Sequence, residues 1–209
     1  ELNRLDRQYQ FQKVGEISQP LVYSAATLVE GKLYIVAGGA DVVDLSKLTN
    51  IFYSIDLKNG RVEKLPDFPG GNLIVPTAAA LKGRIYVFTG ASVDATNKAH
   101  NVNSAFVYSI AEAKWSAIKA FPFAVRGLNS CVLDDRHIFL AGGYKEDFTD
   151  EAFIYDTKTD SYFKTAPLPY RGMVSLVKIG DNLYCLGGED KMRHRSDLAY
   201  RIPWNAFLK

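Results

Sequence analysis

Nine residues late in the chain carry most of the side chains that could do chemistry. The stretch GGEDKMRHR, residues 187–195, places Glu189 and Arg195 six residues apart behind a pair of glycines. A positioned carboxylate can accept and return a proton, and the planar guanidinium of arginine can bind a carboxylate or phosphate through two parallel hydrogen bonds. The stretch therefore indicates a site for an anionic ligand, while its other basic side chains are interpreted as a solvated loop face: Lys191, Arg193 and His194.

Two further arginines follow a common spacing. Arg126 and Arg171 each lie 17 residues before a strand-ending glycine, Gly143 and Gly188. We therefore predict that they occupy the same place in two neighbouring structural units, as helpers in binding the same anion. The alternatives are that they brace adjacent units, or that Glu189 and Arg195 form a surface ion pair of small energetic value.

The sequence lacks the motifs of several other kinds of catalytic and metal sites. The sequence contains no GxSxG elbow, P-loop or HExxH motif and no Cys/His cluster with zinc-ligand spacing, so neither a metal nor a cofactor is expected. His100 and His137 belong to no recognisable acid–nucleophile motif in the sequence, so neither is predicted to be catalytic. Cys131 and Cys185 each sit in an apolar run and are predicted to be buried, inert thiols.

Composition limits the partners. The 209 residues carry a net charge of +2, which gives no reason to expect nucleic acid or an anionic membrane surface as partner. No apolar run approaches the roughly 20 residues of a membrane-spanning helix. With 47% hydrophobic and 12% aromatic residues, the chain has a globular composition rich in strand formers, and one domain over residues 1–209 is expected.

Internal repeats predict the fold. Four apolar segments end at Gly39, Gly90, Gly143 and Gly188, at intervals of 51, 53 and 45 residues. Each reads as two strands joined by a tight turn, and each is followed by a polar loop and a third strand. A fourth strand then carries apolar residues three apart and ends in Phe-Pro or Leu-Pro. Four antiparallel strands in a repeat of about 50 residues are the unit of a β-propeller blade.

The last repeat has three strands, and the missing one is predicted at the other end of the chain. The segment FQKVGEI places Phe11, Val14 and Ile17 at the spacing of a fourth strand. Its addition to the last blade would close a ring of four blades without an unpaired edge. The alternative is that the chain is part of a longer propeller.

The glycine-ended second strand, the Tyr-Asp of FIYDT and the tryptophan of AEAKW resemble the kelch repeat. The fold class is thus predicted to be an all-β, kelch-type propeller. Strand alternation puts the longest loops on one face, around the mouth of the central channel, and binding sites of rigid scaffolds usually lie in such loops. Tyr23, Tyr144 and Tyr170 are the aromatic candidates for stacking on a ligand there.

The segment GGEDKMRHRSD is similar to a motif of the kelch-type N-acetylneuraminate epimerases, or sialic acid mutarotases. The residues matching that motif are Glu189, Arg195, Ser196 and Asp197. The resemblance implies that Glu189 and Arg195 are the catalytic residues, that Glu189 is the base, and that Arg195 holds the carboxylate of an acidic sugar. Arg171 and Arg126 would assist in substrate binding, and the family relationship favours a periplasmic or secreted location in bacteria.

The chain also departs from that family, whose members have six blades and about half as many residues again. The segments LDDRHIFLAGGY and APLPYRG also resemble bacterial kelch domains, some of which are fused to sugar esterases. The alternative function is therefore a non-catalytic propeller that binds a protein ligand on its loop face or is accessory to a carbohydrate-active enzyme. Val42, Val43 and Leu45, in the first long loop, would contribute an apolar patch for such a partner.

Overall fold

The computed structural model describes residues 2–208, with side chains described for residues 3–207. Seventeen strands and two short 3-10 helices make up these residues, so the predicted all-β class is confirmed. The two helices span Leu45–Lys47 and Trp204–Leu208. Strands β1 and β2 span Leu2–Leu5 and Phe11–Gly15, and the remaining fifteen form the blades.

Four antiparallel sheets form the four predicted blades. The first contains β3 to β6, which span Ala25–Val29, Lys32–Val36, Phe52–Asp56 and Val62–Lys64. The second contains β7 to β10, which span Thr77–Leu81, Arg84–Val93, Ala99–Ser109 and Lys114–Ile118. The third contains β11 to β14, which span Asn129–Val132, His137–Ala141, Ala152–Asp156 and Ser161–Lys164. The last contains β15 to β17, which span Met173–Ile179, Asn182–Lys191 and His194–Pro203.

The innermost strands of neighbouring blades lie side by side, β3 next to β7, β7 next to β11 and β11 next to β15. They surround a central channel of about 370 Å3 with polar groups from Ser24, Thr77 and Ser130 in its wall. The hydroxyl groups of Thr77 and Ser130 are 2.9 Å apart and join two blades across it. The channel wall itself carries no charged side chain among the described residues, so charge must come from the loops at its mouth.

A glycine with positive φ follows the second strand in the first and third blades and lies at a register shift within the second strand in the other two. Gly90, Gly143 and Gly188 have φ of 116°, 100° and 100°, and the matching residue of the first blade is Gly38 with 103°, not Gly39 as the spacing predicted. In the first three blades this glycine turns its N–H into the next blade, where it donates to the carbonyls of Leu73, Val125 and Gly172. The glycines of the first three blades therefore connect neighbouring blades.

The N-terminal strand does not complete the last blade. β2 pairs with β1, and β17 has a paired neighbour on one edge only within residues 2–208. A tight turn favours this local hairpin, because the Asp6 carboxylate accepts hydrogen bonds from the amides of Gln8 and Gln10. A local pairing closes a short loop, whereas pairing with β17 would close almost the whole chain. Gly15 also packs against Gly60 and Ile55, which holds β2 beside the first blade.

Aromatic residues of the fourth strands seal the blade junctions. Trp115 lies 5.0 Å from Phe52 and 5.2 Å from Phe68, ring centre to ring centre, across the junction of the first two blades. Tyr162 likewise packs its ring against Phe88 and Phe121 across the junction of the second and third blades. The residue spacing read from the sequence thus identifies the side chains that form the core between blades.

An ion pair on a buried carboxylate makes the third blade sensitive to acid. The Asp156 side chain is only 3% exposed and its two oxygens accept from Nε and Nη2 of Arg136. These hydrogen bonds lower the pKa of Asp156 well below its ordinary value. The stabilisation is therefore present above the unfolded-state pKa of about 4 and is lost as the pH falls further.

Asp156→Asn is expected to lower the free energy of unfolding by about 2 kcal/mol at pH 7, because it weakens charged hydrogen bonds to a buried group. The difference from the unmodified protein should shrink between about pH 4 and pH 2, as its own carboxylate becomes protonated. Urea unfolding at both ends of this range measures the effect. Asp135→Asn is the control, since Asp135 is 80% exposed in its pair with Lys82 and should change stability little. Equal losses in the two variants would contradict the assignment.

Candidate functional site

Glu189 and Arg195 face each other on the hairpin formed by β16 and β17. They are directly paired in register, and Arg195 Nη1 lies 2.9 Å from Glu189 Oε2. The other carboxylate oxygen, Oε1, accepts from the backbone N–H of Arg193 at 2.9 Å. The Glu189 side chain is 27% exposed and that of Arg195 is 70% exposed. The carboxylate is therefore held at one orientation, while the guanidinium keeps most of its donors open to a ligand.

The rest of this hairpin carries a second, separate acid–base pair. His194 Nδ1 lies 2.5 Å from Asp190 Oδ1, and this hydrogen bond lowers the pKa of Asp190. Lys191, Arg193 and His194 are exposed, as expected for a solvated loop face. Asp190 and His194 therefore shape the hairpin tip without contacting Glu189 or Arg195.

Arg126 is fixed by two neighbours at the entry to the third blade. Its guanidinium carbon lies 4.4 Å from the centre of the Tyr144 ring, and Nη1 donates to Asn101 Oδ1 at 2.8 Å. Stacking and hydrogen bonding together restrict the side chain to one arrangement. Within residues 2–208 no carboxylate lies within salt-bridge distance of Arg126, so this half-buried charge is available to an anion.

Arg171 does not occupy the place of Arg126, contrary to the prediction. In the third blade, Arg126 pairs with Tyr144, the residue after Gly143. In the last blade, the residue after Gly188 is Glu189, and its partner is Met173. A register shift between Met173 and Ser175 displaces the chain. Arg171 therefore lies two residues before the matching position and points its Nε towards Asp150, 3.9 Å away.

A continuous run of backbone contacts nevertheless places these residues around one rim. Arg126 and Tyr144 exchange backbone hydrogen bonds, and the N–H of Gly143 donates to the carbonyl of Gly172. A Cβ atom at position 172 would lie 3.0 Å from the carbonyl oxygen of Glu189, so the backbones of Gly172 and Glu189 are close neighbours. Arg126, Arg171 and Glu189 thus follow one another along the loop face, and Arg195 stands opposite Glu189.

A cleft of the loop face opens beside Asn101 and Arg171, and neither Glu189 nor Arg195 is part of its lining. It encloses about 790 Å3, and its lining includes Asn101, Lys145, Phe148, Asp150 and Arg171. This volume is in the range of ordinary small-molecule sites. The lining mixes acidic and basic side chains with the edge of an aromatic ring, which suits a polar ligand bearing both hydroxyl groups and a charge.

The three candidate tyrosines differ in whether their rings are exposed or already in contact with other protein groups. Tyr144 already stacks on Arg126, and burial raises the pKa of Tyr170, whose hydroxyl donates to the carbonyl of Gly187 at 2.7 Å. Tyr23 is 44% exposed and stands in the first blade, where its hydroxyl donates to the carbonyl of Val42. Tyr144 and Tyr170 therefore support the site, and neither ring lies open for stacking as predicted from sequence.

Asn101 is the site residue that the sequence did not reveal. Its amide nitrogen donates to the carbonyls of Tyr144 at 2.9 Å and Lys145 at 3.1 Å, and its oxygen accepts from Arg126. One side chain of the second blade thus positions both the loop and the arginine of the third. No local signal marks this residue, because an asparagine in a polar stretch of sequence is ordinary and its three partners come from another repeat.

Neither a metal site nor a membrane helix is found in the part of the chain that the structure describes. No three His, Cys, Asp or Glu side chains among residues 2–208 are grouped so that they could hold a metal ion. Within the same residues, the helices are too short to cross a bilayer.

The fold and the rim of charged loops define a kelch-type β-propeller with a candidate site for an acidic ligand. The profile of the N-acetylneuraminate epimerase family matches residues 42–166, and the chain belongs to this family. That match ends before Glu189. The residues after it are therefore assigned by geometry and by the short motif alone.

Curated relatives are distant and longer. The chain is 26% identical over 140 residues to the N-acetylneuraminate epimerase of Pasteurella multocida, covering 66% of this chain and 35% of that protein. It is 23% identical to N-acetylneuraminate epimerase 1 of Escherichia coli O6:H1, covering 91% and 61%. The chain thus spans between about a third and three fifths of the length of these relatives.

A solved structure shares the fold. The structure of YjhT superposes with a TM-score of 0.79 at 19% sequence identity, covering 92% of this chain and 65% of that one. At this identity the likeness establishes the propeller architecture alone.

Proposed function

We propose that the protein binds an acidic sugar of the sialic acid type at the mouth of its channel and interconverts the anomers of that sugar. The observation that carries the proposal is the Glu189–Arg195 pair, which places a carboxylate and an open guanidinium group side by side on the loop face. Membership of the N-acetylneuraminate epimerase family supports the same substrate class. A degenerate relative that binds the sugar without turning it over is the weaker form of the proposal.

The chemistry needs one proton removed and one delivered. Glu189 accepts the proton of the anomeric hydroxyl group while the bond between the anomeric carbon and the ring oxygen breaks, and the ring oxygen takes up a proton from a solvent water molecule, whose hydroxide ion is neutralised by the proton on Glu189. The open-chain keto form then recloses on its other face, with the two proton transfers reversed. A base within hydrogen-bond reach accelerates such a step by about 10²- to 10⁴-fold.

The guanidinium groups hold the sugar in place. Arg195 can bind the carboxylate through donors that are not used by Glu189. Arg126 offers a second, pre-positioned anion site further along the rim, since Tyr144 and Asn101 already fix its orientation. Pre-positioning reduces the entropy lost when a ligand binds. Arg171 contributes charge to the adjoining cleft, which would receive the rest of the sugar.

Exchange spectroscopy by NMR tests the proposal. With N-acetylneuraminate in large excess, substoichiometric protein should increase the rate of exchange between the α and β anomers above the buffer rate at the same pH. Binding without acceleration would reduce the proposal to its weaker form. Neither acceleration nor saturation-transfer signals from the sugar, at protein concentrations up to the millimolar range, would overturn it.

Asn101→Ala is expected to raise the dissociation constant for N-acetylneuraminate by about tenfold, because Arg126 loses the hydrogen bond that orients it. Isothermal titration with this sugar and with the neutral N-acetylglucosamine separates the loss of anion binding from a general loss of fit. Asn103→Ala is the matched control on the same strand, since its amide contacts the carbonyl of Phe121 instead. Equal weakening in both variants would show that Asn101 has no special role.

A second candidate function rests on one exposed patch. Val42 and Val43 are 57% and 76% exposed, and the long hairpin of the second blade reaches them through a hydrogen bond from Asn97 to the carbonyl of Val43. A rigid apolar patch beside polar loops is typical of a protein-binding surface. Failure of the sugar experiments would favour this candidate.

A further inference from the structure

The mouth of the channel is bordered by a residue with a left-handed backbone at the entry to each of the first three blades. Tyr23, Val75 and Gly127 have φ of 60°, 51° and 63°. The amide of Val75 donates to the carbonyl of Tyr23 at 2.8 Å, and the amide of Gly127 donates to the carbonyl of Val75 at 3.1 Å. Aromatic and β-branched residues rarely adopt this conformation, so the surrounding structure must impose it. The three positions are therefore equivalent, and only the third lacks a side chain.

The side chain of Met173, from the innermost strand of the last blade, fills the gap at Gly127. A Cβ atom on Gly127 would lie 2.1 Å from Met173 Cε and 2.9 Å from its Sδ. The tip of the methionine therefore lies directly on the glycine backbone. Val75, Gly127 and Met173 all line the channel, and the Met173 side chain is only partly buried. The mouth of the channel thus carries one apolar and adaptable side chain.

Met173 connects the two parts of the proposed sugar site. Its backbone is the register partner of Glu189. Its carbonyl oxygen lies only 2.1 Å from the place that a Cβ atom on Gly188 would take, so the two strands approach closely there. The other end of its side chain rests on Gly127, which directly follows Arg126. A ligand that reaches from Glu189 towards Arg126 therefore passes over the thioether of Met173.

The hydroxyl groups of the channel wall offer acceptors to a ligand. Ser130 Oγ donates to the carbonyl of Ala78 at 3.2 Å and lies 2.9 Å from Thr77 Oγ1. Because the proton of Ser130 is used by Ala78, the hydrogen bond between the two hydroxyl groups uses the proton of Thr77. Ser24 likewise donates to the carbonyl of Ala37 at 2.9 Å. The lone pairs that remain on these oxygens suit a ligand that donates an N–H or O–H group.

We propose that Met173 and Gly127 form a subsite for the acyl group of an N-acylated acidic sugar, and that Met173 determines specificity for this group. The inference rests on the proposed function, which places the sugar at the channel mouth. The acyl methyl is the largest apolar group of such a sugar, and the amide beside it carries an N–H donor. The methyl group contacts the thioether of Met173, and the N–H faces the hydroxyl oxygens of Thr77 and Ser130. A hydroxyl group in place of the acylamino group cannot make the apolar contact.

Anomer exchange of two sugars measures this specificity. N-acetylneuraminate is compared with its deaminated analogue, ketodeoxynonulosonic acid, in which a hydroxyl group takes the place of the acetamido group. At low sugar concentration, we expect the unmodified protein to accelerate exchange of the acetylated sugar at least about tenfold more than that of the analogue. Met173→Gln keeps the length of the side chain but makes its end polar, and should bring the two accelerations within about twofold. Met173→Leu keeps an apolar side chain and should retain the preference.

Met192→Gln is the matched control for Met173→Gln. The sequence contains two methionines, and Met192 is 79% exposed near the tip of the hairpin that carries Glu189. The same chemical change at this position should leave the preference between the two sugars as it is in the unmodified protein. Circular dichroism checks that both variants fold. Equal loss of the preference in the two variants would overturn the assignment of Met173.

Gly127→Ala moves the methionine without changing its chemistry. The added Cβ atom would displace the flexible tip of Met173 from its place on the glycine. The backbone conformation is one that Tyr23 and Val75 already adopt at the equivalent positions, so the variant should fold. We expect it to lose most of the preference for the acetylated sugar although Met173 is still present. Full retention of the preference would contradict a subsite built on the contact between Met173 and Gly127.

The methyl groups of the two methionines also report binding directly. In protein labelled with carbon-13 in these methyl groups, N-acetylneuraminate should shift the NMR signal of Met173 and leave that of Met192 in place, and the analogue should shift it less. Equal acceleration with both sugars, with the Met173 signal unmoved, would overturn the acyl subsite and leave the proposed function standing. Neither acceleration nor a shift with either sugar would overturn both.

Discussion

Glu189→Gln is expected to reduce the acceleration of anomer exchange by at least about 100-fold, to a rate near that of buffer. The amide has nearly the same shape and can still accept a hydrogen bond from Arg195, but it cannot take up a proton at neutral pH. The carboxylate is only 27% exposed and is held by two donors, so little rearrangement is available to bring another base into its place. The exchange rate by NMR, at several sugar concentrations, is the measurement.

Asp190→Asn is the matched control for this substitution. It makes the same change of charge on the adjacent residue of the same strand, but its carboxylate pairs with His194 at the hairpin tip and has no contact with Arg195. The exchange rate should therefore remain within about twofold of the unmodified protein, as for a substitution remote from the reacting groups. A comparable loss in both variants would mean that the charge of the hairpin matters and not the position of Glu189.

Gly188→Ala is expected to lower the free energy of unfolding by about 3 kcal/mol or more, because it combines backbone strain with a clash. Gly188 has a φ of 100°, and a Cβ atom there would lie 2.1 Å from the carbonyl oxygen of Met173. The innermost strand would have to move away from β16 at the point that holds Glu189. The variant should therefore lose both stability, measured by urea unfolding, and anomer exchange.

Gly180→Ala separates the two causes of this loss. Gly180 also has a positive φ, 56°, but a Cβ atom there would have nothing within 4 Å. Only the conformational cost of about 1 kcal/mol is expected, and the site should be unaffected. If both variants lost the same stability, the close approach of Met173 to Gly188 would have no energetic consequence.

The repeat pattern allowed most of the fold to be predicted, because each blade is a local unit. Turn residues, strand-ending glycines and the Phe-Pro or Leu-Pro endings all lie within about 50 residues of one another, so each blade could be recognised without knowledge of the others. The prediction failed for Phe11, Val14 and Ile17, where apolar spacing alone was taken as a fourth strand. The hydrogen bonds of Asp6 give this segment a nearer partner, and spacing carries no information about which edge a strand will join.

The candidate site could be predicted in part. Glu189 and Arg195 lie six residues apart on a hairpin, so their pairing follows from local structure. The equivalence of Arg126 and Arg171 was wrong because residue counting cannot detect the register shift at Met173. Asn101 was missed because its hydrogen bonds join different blades, a relationship that appears only when the repeats are packed together.

In the first three blades, a glycine N–H donates a hydrogen bond to the following blade, so that each blade is coupled to its neighbours in the chain. The glycine amides of the first three blades each stabilise the next blade, and the last blade receives such a bond from Gly143 at Gly172. In such an array, local opening begins at the unit with the fewest couplings. Among the described residues the last blade has one such bond, as the first blade has, and each of the two central blades has two. The hairpin of Glu189 and Arg195 belongs to the last blade, so the amides around the proposed base should exchange with solvent sooner than those of the two central blades. A ligand that binds across the rim to Arg126 would slow this exchange, and the site would then be ordered by the molecule it holds.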